Sequence, residues 1–290
     1  MNILYKINST LKRFLPESAY SKTRLQLIKL YRNRLKTFSE AEIRELFYNL
    51  GIKKGSVVFV HSSMNQIKTE FPFYQLTDIL LDIIGKEGTI LFPCWQEIKD
   101  FDQYVRNGIV FDVKRTPTCL GILPELARRR KGSVRSLSPY NSVVAIGNNA
   151  DYFVREHHLD ELSLGKKSPL FKLAQENGII LGIGVTTRYL SFVHCVEDTY
   201  EGIFPMQVRH IESTPMKVKT LDNEIITVNV KLPHPNISVR NIPSYLKKHI
   251  APEIARDFKI NRTNFFVAQA KPLLTEMSKL AQKNITIYRK

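Results

Sequence analysis

Two short apolar runs constrain the fold more than any other feature of this chain. Residues 56–61 (SVVFVH) and 89–93 (TILFP) are continuous, apolar and rich in β-branched side chains, the pattern of strands buried on both faces. Residues 74–84 between them are helically periodic, and GKEG at 85–88 supplies the turn. Strand, helix and strand of this length make a parallel α/β unit. Both strands then end on one edge of the sheet, so HSSMN at 61–65 and CW at 94–95 face the same space. Small hydroxyls at such an edge line ligand crevices, and they serve equally as turn caps before a helix.

The rest of the chain extends this unit. Ser39 and Glu42 form a capping box for a helix ending at Gly51. Thr116-Pro117 reads as the start of a helix that buries Leu120, Leu123, Leu126 and Ala127 and ends in RRRK before Gly132. Residues 140–146 and 179–184 read as further buried strands, with helices at 151–157, after Ser168-Pro169, and around Ser191, His194 and Glu197. Beyond Pro205 the character changes: 206–214 and 216–220 pair with 225–231 as an antiparallel hairpin turned at 221–224, followed by helices at 242–257 and 265–282 and an edge strand at 285–288. The expected fold is α/β, a central and largely parallel sheet flanked by helices, with a small antiparallel hairpin subdomain in the C-terminal third. One domain is expected over 38–290, the hairpin insertion at about 206–231, preceded by a basic helical extension at 1–37.

The chain of 290 residues carries 43 Lys and Arg against 27 acids, a formal charge of +16. Such a surplus suits an anionic partner or a basic solvated surface. With no nucleic-acid-binding module in the sequence, sequence-specific nucleic-acid binding is not expected. Cys94, Cys119 and Cys195 are far apart, with no ligand spacing, so neither a disulfide framework nor a metal site is expected. Residues 1–37 hold nine Lys/Arg and one acid and read as two amphipathic helices split at Pro16. They read either as a foot on an anionic membrane surface or as an arm packed on the body or a second copy in a homo-oligomer. Interrupted by lysines, this segment is no secretory signal, and a cytoplasmic protein, peripheral to the inner face of the membrane if the foot is real, is expected.

Several motifs, taken in order, carry a resemblance. HSSM after a strand, GTILFP, the long stretch FDVKRTPTCLGILPELARRRKGSVRSLSPYNSVVAIG at 111–147, KSPL, the buried GIG strand and SFVHCVE together resemble the aminoglycoside 3-N-acetyltransferase family over roughly residues 40–200. The resemblance implies an α/β/α-type fold, acetyl-coenzyme A as donor without a metal, and the amine of an amino sugar as acceptor. It implies His194 as general base, with Glu197 three residues on. It places Ser62, Ser63, Thr116, Arg135 and Ser136 on the coenzyme side of a cleft and Asp112, Asn141 and Arg188 on the acceptor side. The chemistry agrees: neutral imidazole can take a proton from an amine near pH 7, and N–H groups at a loop or helix start can hold a developing oxyanion and phosphates.

The sequence departs from the family at telling positions. SPYNS at 138–142 lacks the family's histidine beside its proline, and Arg188 stands where an acid would orient the base. A chain at +16 also suits cationic aminoglycosides poorly. The expected acceptor is therefore an anionic amino sugar, nucleotide-linked or destined for a surface polysaccharide. The alternatives are an acyltransferase with another donor or a hydroxyl acceptor, and an inactive coenzyme- or membrane-binding scaffold.

Overall fold

The computed structural model describes residues 16–288 except 235, 236, 238 and 239. The first half of the basic extension therefore lies outside the described residues; its second half is one helix, α1 (Glu17–Asn33). A two-residue strand β1 (Thr37–Phe38) leads into α2 (Glu40–Asn49). Here the capping box forms as expected, Ser39 Oγ accepting from Glu42 N–H while Glu42 reaches back to Ser39 N–H. The strand–helix–strand unit follows: β2 (Val57–Ser62), a short β3 (Lys68–Thr69) paired with β1, α3 (Gln75–Ile84) and β4 (Thr89–Pro93). β2 and β4 run parallel with Val57 beside Thr89.

The chain continues through α4 (Phe101–Arg106), β5 (Val110–Asp112), α5 (Ile122–Arg129), β6 (Val134–Arg135), β7 (Val143–Gly147), α6 (Ala150–Val154), α7 (Pro169–Gln175) and β8 (Ile179–Ile183). After β8 come α8 (Cys195–Thr199), β9 (Thr214–Lys219), β10 (Ile225–Val230), α9 (Ile242–His249), β11 (Ala255–Ile260), β12 (Thr263–Gln269) and α10 (Ala270–Gln282). Among the described residues the main sheet has seven strands in the order β11-β12-β8-β2-β4-β7-β6. The α/β class and the helix-flanked sheet are as expected, but within this sheet parallel pairing is confined to β8-β2-β4, and its other strands pair antiparallel. Alternation along β2 divides the core, with Phe59 facing α7, α8 and α10 on one side and Val58 and Val60 facing α2, α3 and α5 on the other.

The sequence reading errs where period alone decided. The stretches 242–257 and 265–282 each contain a helix fused to a strand. Asn261-Arg262 turns β11 into β12, with Asn261 at a left-handed φ of 53°. TNFFVAQ in β12 is buried almost throughout, and such a run cannot be told from a buried helix by periodicity. Residues 206–213 form no strand beyond an isolated bridge between Arg209 and Pro233, and 285–288 make only an isolated bridge between Tyr288 and Arg240. The hairpin exists as β9 and β10 but is no free-standing insertion. β9 pairs in parallel with β5, and Phe111, Met216, Val218 and Val230 form a small core of their own.

Candidate active site

The ends of β2 and β8 lie side by side, Ser62 opposite Ile183. The chain leaves β8 through Gly184 at a φ of 71°, where a Cβ would come within 2.5 Å of the Ser63 carbonyl oxygen, so only glycine lets the two exit loops close up. Ser63 N–H donates to the Ile183 carbonyl at 2.9 Å and fixes this approach. Gly121, the residue before α5, sits on the far side, its Cβ position 3.8 Å from the Ser62 carbonyl. Because α5 starts at this glycine without a side-chain cap, its first N–H groups and the positive end of its dipole are presented beside Ser62.

From β8 the loop is pinned by Asp257, which accepts from Thr187 N–H and Thr187 Oγ, each at 2.7 Å. A 3₁₀ turn over Ser191–His194 then carries the chain into α8. It sets Ser191 Oγ 3.5 Å from Nε2 of His61, the residue before Ser62. His61 packs against Phe59 and Phe266, and burial pushes it down to about 3, so it is neutral.

One turn beyond Ser191, His194 Nδ1–H donates to Glu197 Oε1 at 2.9 Å, with side-chain exposures of 14% and 1% respectively. The same oxygen accepts a 2.8 Å bond from the Tyr288 hydroxyl. Burial raises the Glu197 carboxyl, but His194, Arg209 and Tyr288 outweigh it and hold the group below the ordinary carboxylate range. A carboxylate bound to Nδ1 leaves Nε2 as the basic nitrogen. Beneath it Asp198 is held by Arg209, through Nε to Oδ1 at 2.7 Å and Nη2 to Oδ2 at 3.1 Å, and also accepts from Leu164 N–H. Among the described residues no group of acids, histidines and cysteines could hold a metal ion.

The structure distributes the other expected site residues unevenly. Ser62 and Ser63 lie at the end of β2, where its exit loop meets that of β8. Thr116 does not start a helix; its Oγ accepts from Asp112 N–H in a turn that Asp112 closes by accepting from Lys114 and Arg115 N–H, and α5 begins six residues later with Leu126 exposed. Arg135 is buried rather than lining an open cleft. Its guanidinium donates to the carbonyls of Cys94, Val113 and Thr116 and to Ser142 Oγ, and it stacks 4.5 Å from the Phe111 ring, with burial lowering it to about 10. It is committed to holding the 112–116 turn on the end of β4. Ser136 is also buried: it accepts from Val143 N–H and faces His157 Nδ1 at 2.9 Å. His157 Nε2 must donate to the Ser163 carbonyl 2.7 Å away, so Nδ1 accepts the Ser136 hydroxyl. Asn141 takes a left-handed φ of 56° and donates to Ser163 Oγ. Arg188 is exposed on the loop before Ser191, and the acid that orients His194 is Glu197 rather than any residue at 188. In the basic run at the end of α5, Glu125 neutralises Arg128 and Arg129, which hold its carboxyl down at about 2. Sequence reasoning missed Tyr288, Arg209 and His157, because no regular helix or strand spacing links them to their partners: Tyr288 meets Glu197 across 91 positions, His157 meets Ser136 across 21 and Arg209 meets Asp198 across 11.

Fold and site together define an α/β protein with a carboxylate-oriented imidazole on the segment that leaves its central strand β8. A sequence model described as aminoglycoside 3-N-acetyltransferase matches residues 59–282, and the chain belongs to that family. Aminoglycoside N(3)-acetyltransferase IX of Micromonospora chalcea is 28% identical over 173 residues, covering 55% of this chain and 61% of the relative. Aminoglycoside N(3)-acetyltransferase III of Pseudomonas aeruginosa is 27% identical over 172 residues, covering 55% and 63%. The chain thus spans about three fifths of the length of these curated relatives. Among solved structures, aminoglycoside acetyltransferase AAC(3)-Xa superposes with a TM-score of 0.73 at 21% identity, covering 86% of this chain and 94% of that one. AAC-IIIb in its binary complex with CoASH also gives 0.73, at 19% identity, over 88% of this chain and 100% of that one.

Proposed function

We propose that this protein is an acetyl-coenzyme A-dependent N-acetyltransferase for an amino sugar, with His194 as general base. The observation that carries the reading is the Glu197-held imidazole on the loop that leaves β8, a loop whose Ser191 meets His61, the residue before Ser62. Glu197 fixes the Nδ1–H tautomer, so Nε2 accepts the proton as the amine nitrogen attacks the thioester carbonyl. The C–N bond forms, the C–S bond breaks, and the leaving thiolate takes the proton back from His194 Nε2 to depart as the coenzyme thiol. The glycine-led start of α5 suits an anion, and the coenzyme's phosphates or the oxyanion would find N–H donors there.

The relatives' names point to aminoglycosides, whereas a charge of +16 favours an acceptor that is itself anionic. A nucleotide-linked amino sugar, or one built into a surface polysaccharide, meets that requirement. Residues 1–37 support peripheral contact with an anionic membrane through nine basic residues against one acid; cosedimentation with anionic vesicles should then disappear when they are deleted. The central experiment measures acetyl-coenzyme A consumption against a panel of nucleotide-linked amino sugars and kanamycin-type amines. Turnover with the first group is expected. Turnover confined to kanamycin-type amines overturns the anionic acceptor, and none with any amine overturns the transferase.

A further inference from the structure

The segment after α10 lies beyond the matched family region, which ends at residue 282, yet it reaches the centre of the site. Its course begins at a helix stop. Asn284 takes a left-handed φ of 59°, its N–H donates to the Ala281 carbonyl, and Ile285 N–H donates to the Leu280 carbonyl. These two bonds satisfy the last carbonyls of α10 and reverse the chain. Residues 285–288 then run back across α8. Asn241 N–H donates to the Ile287 carbonyl, Tyr288 bridges Arg240, and Ile287 and Tyr288 are buried. The segment closes an apolar crevice lined by Val193, Val196, Tyr245 and Met277, into which Glu197 projects. Beside it the Tyr288 hydroxyl meets the same Glu197 oxygen that His194 uses, while Glu197 Oε2 is buried with no hydrogen-bond partner among the described residues.

We infer that Tyr288 is a positioning residue for His194: its hydroxyl holds the Glu197 carboxylate in the rotamer that receives Nδ1–H. The inference rests on His194 being the base. Both donors converge on Oε1, so losing the hydroxyl removes one of the two bonds that fix the carboxylate's rotamer and frees it to turn away from Nδ1. The other charged or titratable groups facing this cluster are Arg209 and Asp198 beneath α8, Cys195 within it, Arg240 beside Tyr288, and Tyr245 across the crevice. None of these is altered by removing the hydroxyl alone.

Tyr288→Phe keeps the ring and deletes the donor. The Nδ1–H tautomer of His194, read by nitrogen-15 NMR and assigned with His194→Ala, should give way to a mixture of tautomers in the variant. Turnover number should fall severalfold, with KM for acetyl-coenzyme A unchanged. Glu197→Gln provides the second arm, since adding Tyr288→Phe to it should produce no further loss. An unchanged tautomer in Tyr288→Phe, or an equal further loss in the Glu197→Gln background, overturns the inference. A tautomer mixture in a protein that acetylates no amine would sustain the positioning role while removing the transferase reading.

Discussion

Arg209 grips both oxygens of Asp198 immediately beneath the base, and both side chains are almost wholly removed from water. The pair ties the loop after α8 to the helix that carries Glu197, and Leu164 N–H adds a third element to the same carboxylate. Removing one member leaves the other charge buried without compensation. Arg209→Ala should therefore cost about 3–5 kcal/mol of stability, read from urea unfolding midpoints. A loss no larger than that of an exposed arginine would show that the pair is open to solvent.

His194→Ala should lower kcat by roughly 10²–10⁴-fold, the usual scale for a positioned general base. Coenzyme binding, measured by calorimetry, should survive. Glu197→Gln should produce a large part of the same loss, because the amide can present its NH₂ to Nδ1 and so favour the unproductive tautomer. Unchanged turnover in His194→Ala would sink the proposed role.

The strand–helix–strand unit, the capping box at Ser39, the hairpin and the His194–Glu197 spacing were legible because each is written in local pattern. The expectation that Arg135 and Ser136 face the coenzyme failed to anticipate their burial. Nothing adjacent to Arg135 in sequence reveals that its guanidinium will be spent on the carbonyls of Cys94, Val113 and Thr116. Tyr288 was equally hidden: residues 285–288 look like an edge strand, and its partner Glu197 is 91 positions away. The fused helices at 242–257 and 265–282 mark the complementary failure, where a buried strand and a buried helix share one apolar pattern.

The burial of Arg135 has its own test. Lysine would keep the charge but lose the planar fork that reaches carbonyls on two segments. Arg135→Lys should destabilise the protein by about 1–3 kcal/mol, as expected for unsatisfied buried acceptors, while leaving KM for acetyl-coenzyme A unaltered. A raised KM with normal stability would return Arg135 to the coenzyme side of the cleft.

Gly184→Ala should disturb the crevice more than the fold around it. The new Cβ would lie 2.5 Å from the Ser63 carbonyl, on a residue whose φ of 71° already disfavours side chains. Strain of this kind costs about 1–3 kcal/mol, and relief requires the loops after β2 and β8 to part. The expected signature is a raised KM for the acyl donor together with a lowered melting temperature; wild-type values for both would mean that the loops do not define the site.

His61 and His157 give the protein a pH dependence that can be separated from that of its carboxylates. Burial lowers both from an ordinary 6.5, to about 3 and about 4 respectively. The unfolded chain therefore takes up protons below about pH 6.5 that the folded chain refuses. By this linkage their contribution is fully present above that value and is lost as pH falls toward the folded values. Glu197 and Glu125 are also depressed, but from 4.5, so their losses begin lower. Between about pH 6.5 and 4.5 the slope of stability against pH should thus come chiefly from buried histidines. Urea midpoints across this window should fall with acidification in the wild type. His157→Gln, which keeps hydrogen-bonding capacity without titrating, should lower stability at pH 7.5 yet flatten the fall; an unchanged slope would show that His157 is protonated as readily in the folded chain as in the unfolded one.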